Sequence, residues 1–231
     1  MCIRDRDMGT DPLGAVYSRY SDAPQRPTHE PVLLERHCLP PETAREVFAL
    51  YREYHGPLSI FSDGRSYLDG TGMALFQDRH IQRHSTEARQ PDDGRTHVVR
   101  DLDEWMSRHA HEVEKFCMFF DSIEIAQAAL VRFRAFPGIE TVQGAPDNVE
   151  VTAQGVDKGT ALLALADMLG IPREATLAIG DSDNDRAILA RAGVAAVMAN
   201  ALPEIRALGD IVSTCDNDHD GVAELFERLG L

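Results

Sequence analysis

Strand and helix patterns alternate through the last third of the chain, and this alternation restricts the fold more than any other feature. Helical segments end at Gly170 and Gly193, where a helix C-terminus favours glycine. Because short connections join each strand to a helix, the strands are expected to run parallel in one sheet. Helices are predicted at 159–169, 186–192, 203–208 and 221–229, and strands at 176–179, 194–198 and 211–213.

The middle of the chain has a different pattern, which predicts a separate α+β unit. Asp63-Gly64 separates two short apolar segments and is typical of a hairpin turn. The first 35 residues and the polar segment 85–97 predict loops, with one short strand near Leu13–Tyr17. Further helices are predicted at 41–54, 101–111 and 122–135, and further strands at 116–120, 139–142 and 148–151.

Composition argues against several classes of protein. The 231 residues include 38 acidic side chains against 23 of Lys and Arg, a formal net charge of −15 that repels nucleic-acid phosphates. No apolar run reaches the ~18 residues of a membrane span, and the first residues lack the apolar stretch of a signal peptide. The four cysteines are far apart, which favours free buried thiols over a disulfide framework or a zinc site. We therefore expect a cytoplasmic protein that binds neither nucleic acid nor membrane.

The acidic sequence Gly180-Asp181-Ser182-Asp183-Asn184-Asp185 is the strongest candidate for a functional site. It follows a predicted strand and begins a helix, and α/β proteins bind ligands at such strand ends. Backbone N–H groups at a helix start favour an anion such as phosphate. Three carboxylates would repel that anion unless a cation lay among them. Mg²⁺ suits such a site, because it binds a few carboxylate oxygens and keeps several of its own water ligands. The motif therefore predicts a Mg²⁺ and phosphate site, and a solvated acidic turn that caps a helix is the alternative.

Lys158 is the second candidate, at the start of the preceding predicted helix. From there its side chain can reach across the sheet edge and offset the charge of a phosphate and of a nucleophilic carboxylate. Taken alone, a lysine at this position is weak evidence, because most lysines are solvated surface side chains.

In combination, these segments resemble the C-terminal core of the Cof-type branch (subfamily IIB) of the haloacid dehalogenase superfamily of phosphatases. The resemblance covers residues 149–231, and the middle region resembles that branch's cap more loosely. The matching segments are Val149-Glu150-Val151, Gly155–Leu162 with Lys158, Gly180–Asp185, Ala199-Asn200-Ala201 and Asp220-Gly221-Val222-Ala223.

The resemblance implies an α/β fold, with a Rossmann-like parallel-sheet core whose N-terminal part is missing and an inserted α+β cap domain. Residues 1–34 would be a remnant of the core and a linker. Residues 35–146 would be the cap, and residues 147–231 the C-terminal half of the core.

The resemblance also implies a reaction, the hydrolysis of a small phosphorylated metabolite such as a sugar phosphate. An aspartate attacks phosphorus to form a phosphoaspartate, which water hydrolyses with a second aspartate as acid and base. Carried over to this sequence, Lys158 would hold the phosphoryl oxygens and the nucleophile. Asp181 would be a direct or water-mediated Mg²⁺ ligand, and Asp185 would support the metal. Asn184 would contact phosphate or orient its neighbours, while Ser182 and Asp183 would have weaker roles.

The chain departs from the family at the nucleophile, which belongs to an Asp-x-Asp-Gly-Thr motif after a buried strand. The segment Asp5–Thr10 comes close but has Met8 inserted, and few residues precede it. Leu68-Asp69-Gly70-Thr71 has Tyr67 at the nucleophile position. We therefore expect a chain truncated at its N-terminus that is inactive on its own.

Three other functions remain open on the sequence. One is a related enzyme of the same fold that acts on a disaccharide phosphate or on phosphomannose. Another is a non-catalytic metal-binding or regulatory relative. The third is calcium binding, because Asp216–Gly221 followed by Glu227 satisfies the EF-hand loop pattern. A predicted strand before that loop, instead of a helix, argues against calcium.

Smaller clusters of polar residues are interpreted as surface. The pair His80 and His84 and the group His109, His111 and Glu112 lack an evident further metal ligand. Three arginines could line the substrate side of the cap or be scattered surface charge, namely Arg95, Arg100 and Arg108.

Overall fold

A computed structural model describes residues 2–5, 32–75 and 96–231 of the chain. The predicted strand near Leu13–Tyr17, most of the Asp5–Thr10 segment, the pair His80 and His84, and Arg95 lie outside these ranges. Strand β1 (Cys2–Asp5) pairs antiparallel with strand β2 (Val32–Arg36), which the sequence pattern did not predict. Asp5 therefore lies in a two-stranded ribbon and not in the parallel sheet.

The middle of the chain forms a six-stranded sheet with helices. Its strands are β3 (Leu58–Ser62), β4 (Arg65–Asp69), β5 (Thr96–Val99), β6 (Lys115–Phe119), β7 (Ile139–Val142) and β8 (Asn148–Ala153). Their order is β5-β4-β3-β6-β8-β7, antiparallel except for the β4–β5 pair. The helices are α1 (Pro41–Tyr51), α2 (Leu102–His109) and α3 (Ile123–Arg134). The predicted hairpin around Asp63-Gly64 is confirmed, whereas Thr96 and His97, predicted as loop, begin a strand.

One face of this sheet is apolar and covered by helices. Phe116 in β6 and Val149 in β8 are fully buried there, because alternate side chains of a strand point to the same face. Tyr51 of α1 lies on them, with its ring centroid 5.7 Å from that of Phe116 and its hydroxyl donating to the Val149 carbonyl at 3.0 Å. Phe133 of α3 packs on Tyr51 at 4.3 Å. The intervening strand residues form an opposite face that no described helix of this unit covers.

The last part of the chain confirms the predicted alternation of strands and helices. Three parallel strands, β9 (Leu177–Gly180), β10 (Val194–Val197) and β11 (Ile211–Val212), form a sheet in the order β11-β10-β9. The helices are α4 (Lys158–Met168), α5 (Arg186–Arg191), α6 (Pro203–Arg206) and α7 (Gly221–Leu229). Gly180 is in register with Val197, so the loops after β9 and β10 leave the sheet side by side.

The strand at 148–153 corrects the expected boundary between the units. The sequence interpretation placed residues 147–231 together, but β8 pairs with β6 on one side and β7 on the other. The physical reason is that Val149 and Val151 complete the apolar core around Phe116. The chain passes to α4 through residues 154–157, where Gly155 has a φ of +75°.

Within the described ranges, no helix is long and apolar enough to cross a membrane.

Candidate functional site

The acidic loop, residues 181–185, folds back on itself at the carboxyl end of β9. A short 3-10 turn, Asp183–Asp185, leads directly into α5. The Asp185 carboxylate accepts hydrogen bonds from the backbone N–H groups of Asp181 at 3.1 Å and Ser182 at 3.3 Å. Gly180 permits this fold, because a Cβ there would lie 2.5 Å from the Cβ of Asp185. The loop is therefore closed by its own last carboxylate.

Lys158 reaches this loop from the start of α4. Its Nζ lies 2.6 Å from Asp185 Oδ1. The N-cap Asp157 holds the beginning of the helix, since its side chain accepts the Thr160 backbone N–H at 2.7 Å. Two of the residues singled out in the sequence, 27 positions apart, are thus in direct contact.

The Lys158–Asp185 contact affects the pKa of the carboxyl. Burial alone would raise the pKa of Asp185, but hydrogen bonds from Lys158 and from the backbone N–H groups of Asp181 and Ser182 outweigh burial. The pKa of Asp185 is therefore below its ordinary value. Because the pKa is lower in the folded than in the unfolded protein, the ionised carboxylate stabilises the fold above the unfolded pKa, about 3.9. This contribution is lost as the pH falls through the folded pKa.

We expect Asp185→Asn to lower the free energy of unfolding by about 1–3 kcal/mol at neutral pH, because hydrogen bonds to a charged group are lost. The difference from wild type should shrink as the pH falls below about 4, where the wild-type carboxyl is also neutralised. Denaturant unfolding at several pH values measures this, with Asp167→Asn on the exposed side of α4 as control. A difference that stays constant from neutral to acidic pH would contradict the assignment.

Asp181 is held by a residue to which the sequence interpretation gave no role. The Nδ2 of Asn200 donates to Asp181 Oδ2 at 2.8 Å, and Asn200 Oδ1 accepts the backbone N–H of Asn217 at 3.1 Å. Asn200 appeared in the sequence only as part of a matching segment. The usable signal was its position after β10, because neighbouring parallel strands bring their carboxyl ends together.

Asp183 and Asn184 contact the six-stranded unit. The Asp183 carboxylate binds Arg134 at 2.9 Å and Arg186 at 3.2 Å. Asn184 Oδ1 accepts the Ser182 hydroxyl at 2.8 Å, and its backbone N–H donates to the Gln143 carbonyl at 3.0 Å. No sequence signal pointed to Arg134, which is 49 residues away from Asp183.

A cavity of about 940 Å³ separates the acidic loop from the open face of the six-stranded sheet. Lys158, Asp183 and Asn184 line one wall, and the sheet contributes Phe61, Lys115 and Glu150. Lys115 Nζ lies 2.9 Å from Glu150 Oε2 and 4.5 Å from the centroid of the Phe61 ring.

Two of the arginines considered for the substrate side do not line this cavity, namely Arg100 and Arg108. Arg108 pairs instead with Glu104 on α2, at 2.5 Å.

The acidic loop offers the type of ligand that a metal ion prefers, but too few such ligands. In the parts of the chain that the structure describes, no three His, Cys, Asp or Glu side chains are grouped so that they could hold a metal ion. Asp185 is occupied by Lys158 and by backbone N–H groups, which leaves the Asp181 carboxylate as an oxygen ligand of the type that Mg²⁺ prefers. The described residues thus supply only part of a coordination sphere.

The EF-hand pattern at 216–227 gains no support from the structure. Asp216 Oδ1, the first ligand position, contacts His219 Nδ1 at 2.5 Å and accepts the backbone N–H of Asp218 at 3.0 Å. Strand β11, and not a helix, precedes the loop. In the group at 109–112, the Glu112 carboxylate lies 3.1 Å from His109 Nδ1 and 3.4 Å from His111 Nε2, and these contacts do not form a metal site.

A family model for haloacid dehalogenase-like hydrolases matches residues 28–226, and the chain belongs to this family. The predicted family and fold class are thereby confirmed.

Particular relatives are phosphatases by name. The chain is 37% identical over 114 residues to the phosphatase YwpJ of Bacillus subtilis, covering 49% of this chain and 39% of the relative. It is 30% identical over 176 residues to an HMP-PP phosphatase of Cronobacter sakazakii, covering 76% of this chain and 60% of the relative. The chain thus spans less than two thirds of the length of each of these relatives.

Solved structures share the fold. A haloacid dehalogenase-like hydrolase from B. subtilis superposes with a TM-score of 0.70 at 23% identity, covering 85% of this chain and 73% of that one. A subclass IIB sugar phosphatase superposes with a TM-score of 0.66 at 20% identity, covering 86% and 70%.

Proposed function

We propose that this chain supplies the cap and the C-terminal half of the core of a Mg²⁺-dependent phosphatase for a small phosphorylated metabolite. The observation that carries the proposal is the contact between Lys158 Nζ and Asp185 Oδ1, 2.6 Å long, at the carboxyl end of β9. Lys158 itself lines the large cavity. A cation fixed beside the backbone N–H groups of a helix start is suited to binding phosphate.

In this proposal Lys158 binds the phosphoryl oxygens, and Asn184 orients the loop or donates to the phosphate. Asp181 holds the metal, with Asn200 fixing its carboxylate, and Asp185 supports the metal through the loop that it closes. When bound, Mg²⁺ would offset the negative charge of the phosphoryl group. The nucleophilic aspartate of the family belongs to a motif without a good copy in this sequence, so we propose that this chain alone is inactive.

The open face of the sheet would contact the leaving group. Lys115 and Glu150 neutralise each other's charge, yet together they offer donors and acceptors for hydroxyl groups. A sugar-like, hydroxyl-bearing alcohol fits such a wall better than a second anion does. Two relatives are named as phosphatases of HMP-PP and of 5-amino-6-(5-phospho-D-ribitylamino)uracil, both small phosphorylated compounds, in keeping with this substrate class.

A cytoplasmic location is part of the proposal. Cys38, Cys117 and Cys215 are free thiols, as predicted, but of these three only Cys117 is buried. The Cys2 side chain lies outside the described residues. Burial raises the pKa of Cys117 to about 12, so this thiol is unreactive. Unpaired thiols are typical of a reducing compartment.

The proposal is tested by titrating the protein with inorganic phosphate in the presence of Mg²⁺ and following backbone amide resonances by NMR. The amides of residues 181–185 should shift, and Lys158→Met should weaken phosphate binding at least about tenfold, because a charged hydrogen bond is lost. Arg132→Met is the control, since Arg132 pairs with Glu53 away from the cavity at 2.6 Å. The same affinity in Lys158→Met and wild type would refute the phosphate site.

A further inference from the structure

The contacts between the two units point to a role for Arg134 and for the turn at 143–145, here called the β7–β8 turn. We propose that they are positioning elements that hold the acidic loop in its functional geometry from the side of the six-stranded sheet. This inference rests on the proposed function only in assuming that the acidic loop is the phosphatase site.

The first contact is an ion pair between the units. Arg134 is the last residue of α3, and its Nη2 binds Asp183 Oδ2 at 2.9 Å. The other oxygen of Asp183 is bound by Arg186 Nε at 3.2 Å, at the start of α5. The Asp183 carboxylate, in the middle of the acidic loop, is thus held between two guanidinium groups, one from each unit.

The second contact involves the backbone. The Asn184 N–H donates to the Gln143 carbonyl at 3.0 Å, next to the Asp183 ion pair. The approach at the following residue is close, because a Cβ on Gly144 would lie 2.9 Å from Asn184 Nδ2. Neighbouring loop residues are therefore held by two independent contacts from the same unit.

The β7–β8 turn is rigid enough to act as a support. The buried Asn148 side chain accepts the backbone N–H groups of Gly144 and Ala145, both at 2.9 Å. Gln143 Nε2 donates to the Asn148 carbonyl at 2.9 Å. The turn is thus fixed by β8, a strand in the interior of the six-stranded sheet.

These contacts lie in the middle of the acidic loop, where they can control the positions of the carboxylates on both sides. Asp183 and Asn184 lie between Asp181 and Asp185, so a shift of either one displaces the carboxylates on both sides. A half-exposed ion pair such as Arg134–Asp183 contributes little stability by itself. Combined with a hydrogen bond to a rigid turn, it selects one geometry of the loop. Arg134 acts through Asp183 and is therefore a positioning residue.

The test is amide hydrogen exchange measured by NMR on wild type, Arg134→Met and Arg132→Met, without phosphate or metal. Arg132 is the matched control, because it lies on the same helix and pairs with Glu53 at 2.6 Å within the six-stranded unit. Arg134→Met should speed exchange of the Asn184 amide about fivefold, as expected for the loss of a surface ion pair. Exchange of the Asp181 and Ser182 amides, which donate to the Asp185 carboxylate, should also become faster. Arg134→Lys should restore much of the protection of all three amides against exchange. Arg132→Met should leave all three unchanged.

Equal exchange in Arg134→Met and Arg132→Met would overturn the inference. So would a loss of phosphate affinity in Arg134→Met with unchanged exchange, which would make Arg134 a direct ligand contact. The exchange experiment contains no ligand, so its outcome does not depend on whether the chain binds phosphate. If Lys158→Met leaves phosphate affinity unchanged, the proposed function fails, but the positioning role of Arg134 is still tested by the exchange rates.

Discussion

Extending this chain by a strand that ends in Asp-x-Asp-Gly-Thr is expected to raise phosphomonoester hydrolysis by several orders of magnitude over the 231-residue chain. A missing nucleophile typically costs that much in rate, because the remaining groups bind the substrate but cannot form the covalent intermediate. The sheet offers a place for the strand. Among the described strands β9 lies at the edge of its sheet, so a parallel neighbour would end beside Gly180 and the acidic loop.

The measurement is the Mg²⁺-dependent release of phosphate from sugar phosphates by the extended and the unextended chains. Two variants of the extended chain are the controls: one with the first aspartate of the motif changed to Asn, and one with Lys158→Met. Both should release phosphate at or close to the rate of the unextended chain. If the unextended chain hydrolyses phosphomonoesters and Asp181→Asn abolishes this turnover, the proposal that the chain alone is inactive is wrong. Preferential binding of Ca²⁺, lost in Glu227→Gln, would instead favour the calcium-binding alternative.

The second large effect concerns stability. Phe133→Ala is expected to lower the free energy of unfolding by about 3–5 kcal/mol, because a fully buried aromatic ring would leave a cavity. Phe133 packs on Tyr51, which in turn contacts Phe116 of the sheet, so the cavity would open in the middle of the six-stranded unit. A loss of this size is a large share of the 5–15 kcal/mol that is typical of a domain.

Urea unfolding followed by tryptophan fluorescence measures this effect. Trp105 is the single tryptophan of the sequence and lies on α2, with its ring 4.7 Å from Tyr67, so its emission reports on the six-stranded unit. Val131→Ala, on the same helix at 71% exposure, is the control and should change the unfolding free energy by less than about 0.5 kcal/mol. Similar losses in the two variants would show that Phe133 is not a core residue.

The sequence predicted most elements correctly because their patterns are local. The alternation after Lys158, the glycines that end α4 and α5, and the turn at Asp63-Gly64 are all visible within windows of a few residues. The strands that it missed, β1, β2 and β5, are short segments with little apolar alternation. Their strand character comes from pairing with partners elsewhere in the chain.

For the candidate site, the sequence identified the residues that share one motif or stand at a helix start. Lys158 and the acidic loop were found in this way, and the structure places them in contact. Asn200 was given no role although its position after β10 was a usable signal. Arg134 was missed because it reaches the loop through a tertiary contact only.

The alternating α/β architecture, the family and the acidic loop could all be predicted from the sequence, because hydrophobic periodicity, turn residues and short motifs are properties of neighbouring residues. Three features became visible only in the folded chain: β8 belongs to the six-stranded sheet, Asp185 binds Lys158, and Arg134 and the β7–β8 turn contact Asp183 and Asn184. The physical reason is that strand pairing and ion-pair choice depend on which distant segments are brought within a few ångströms, and packing of the whole chain sets those distances.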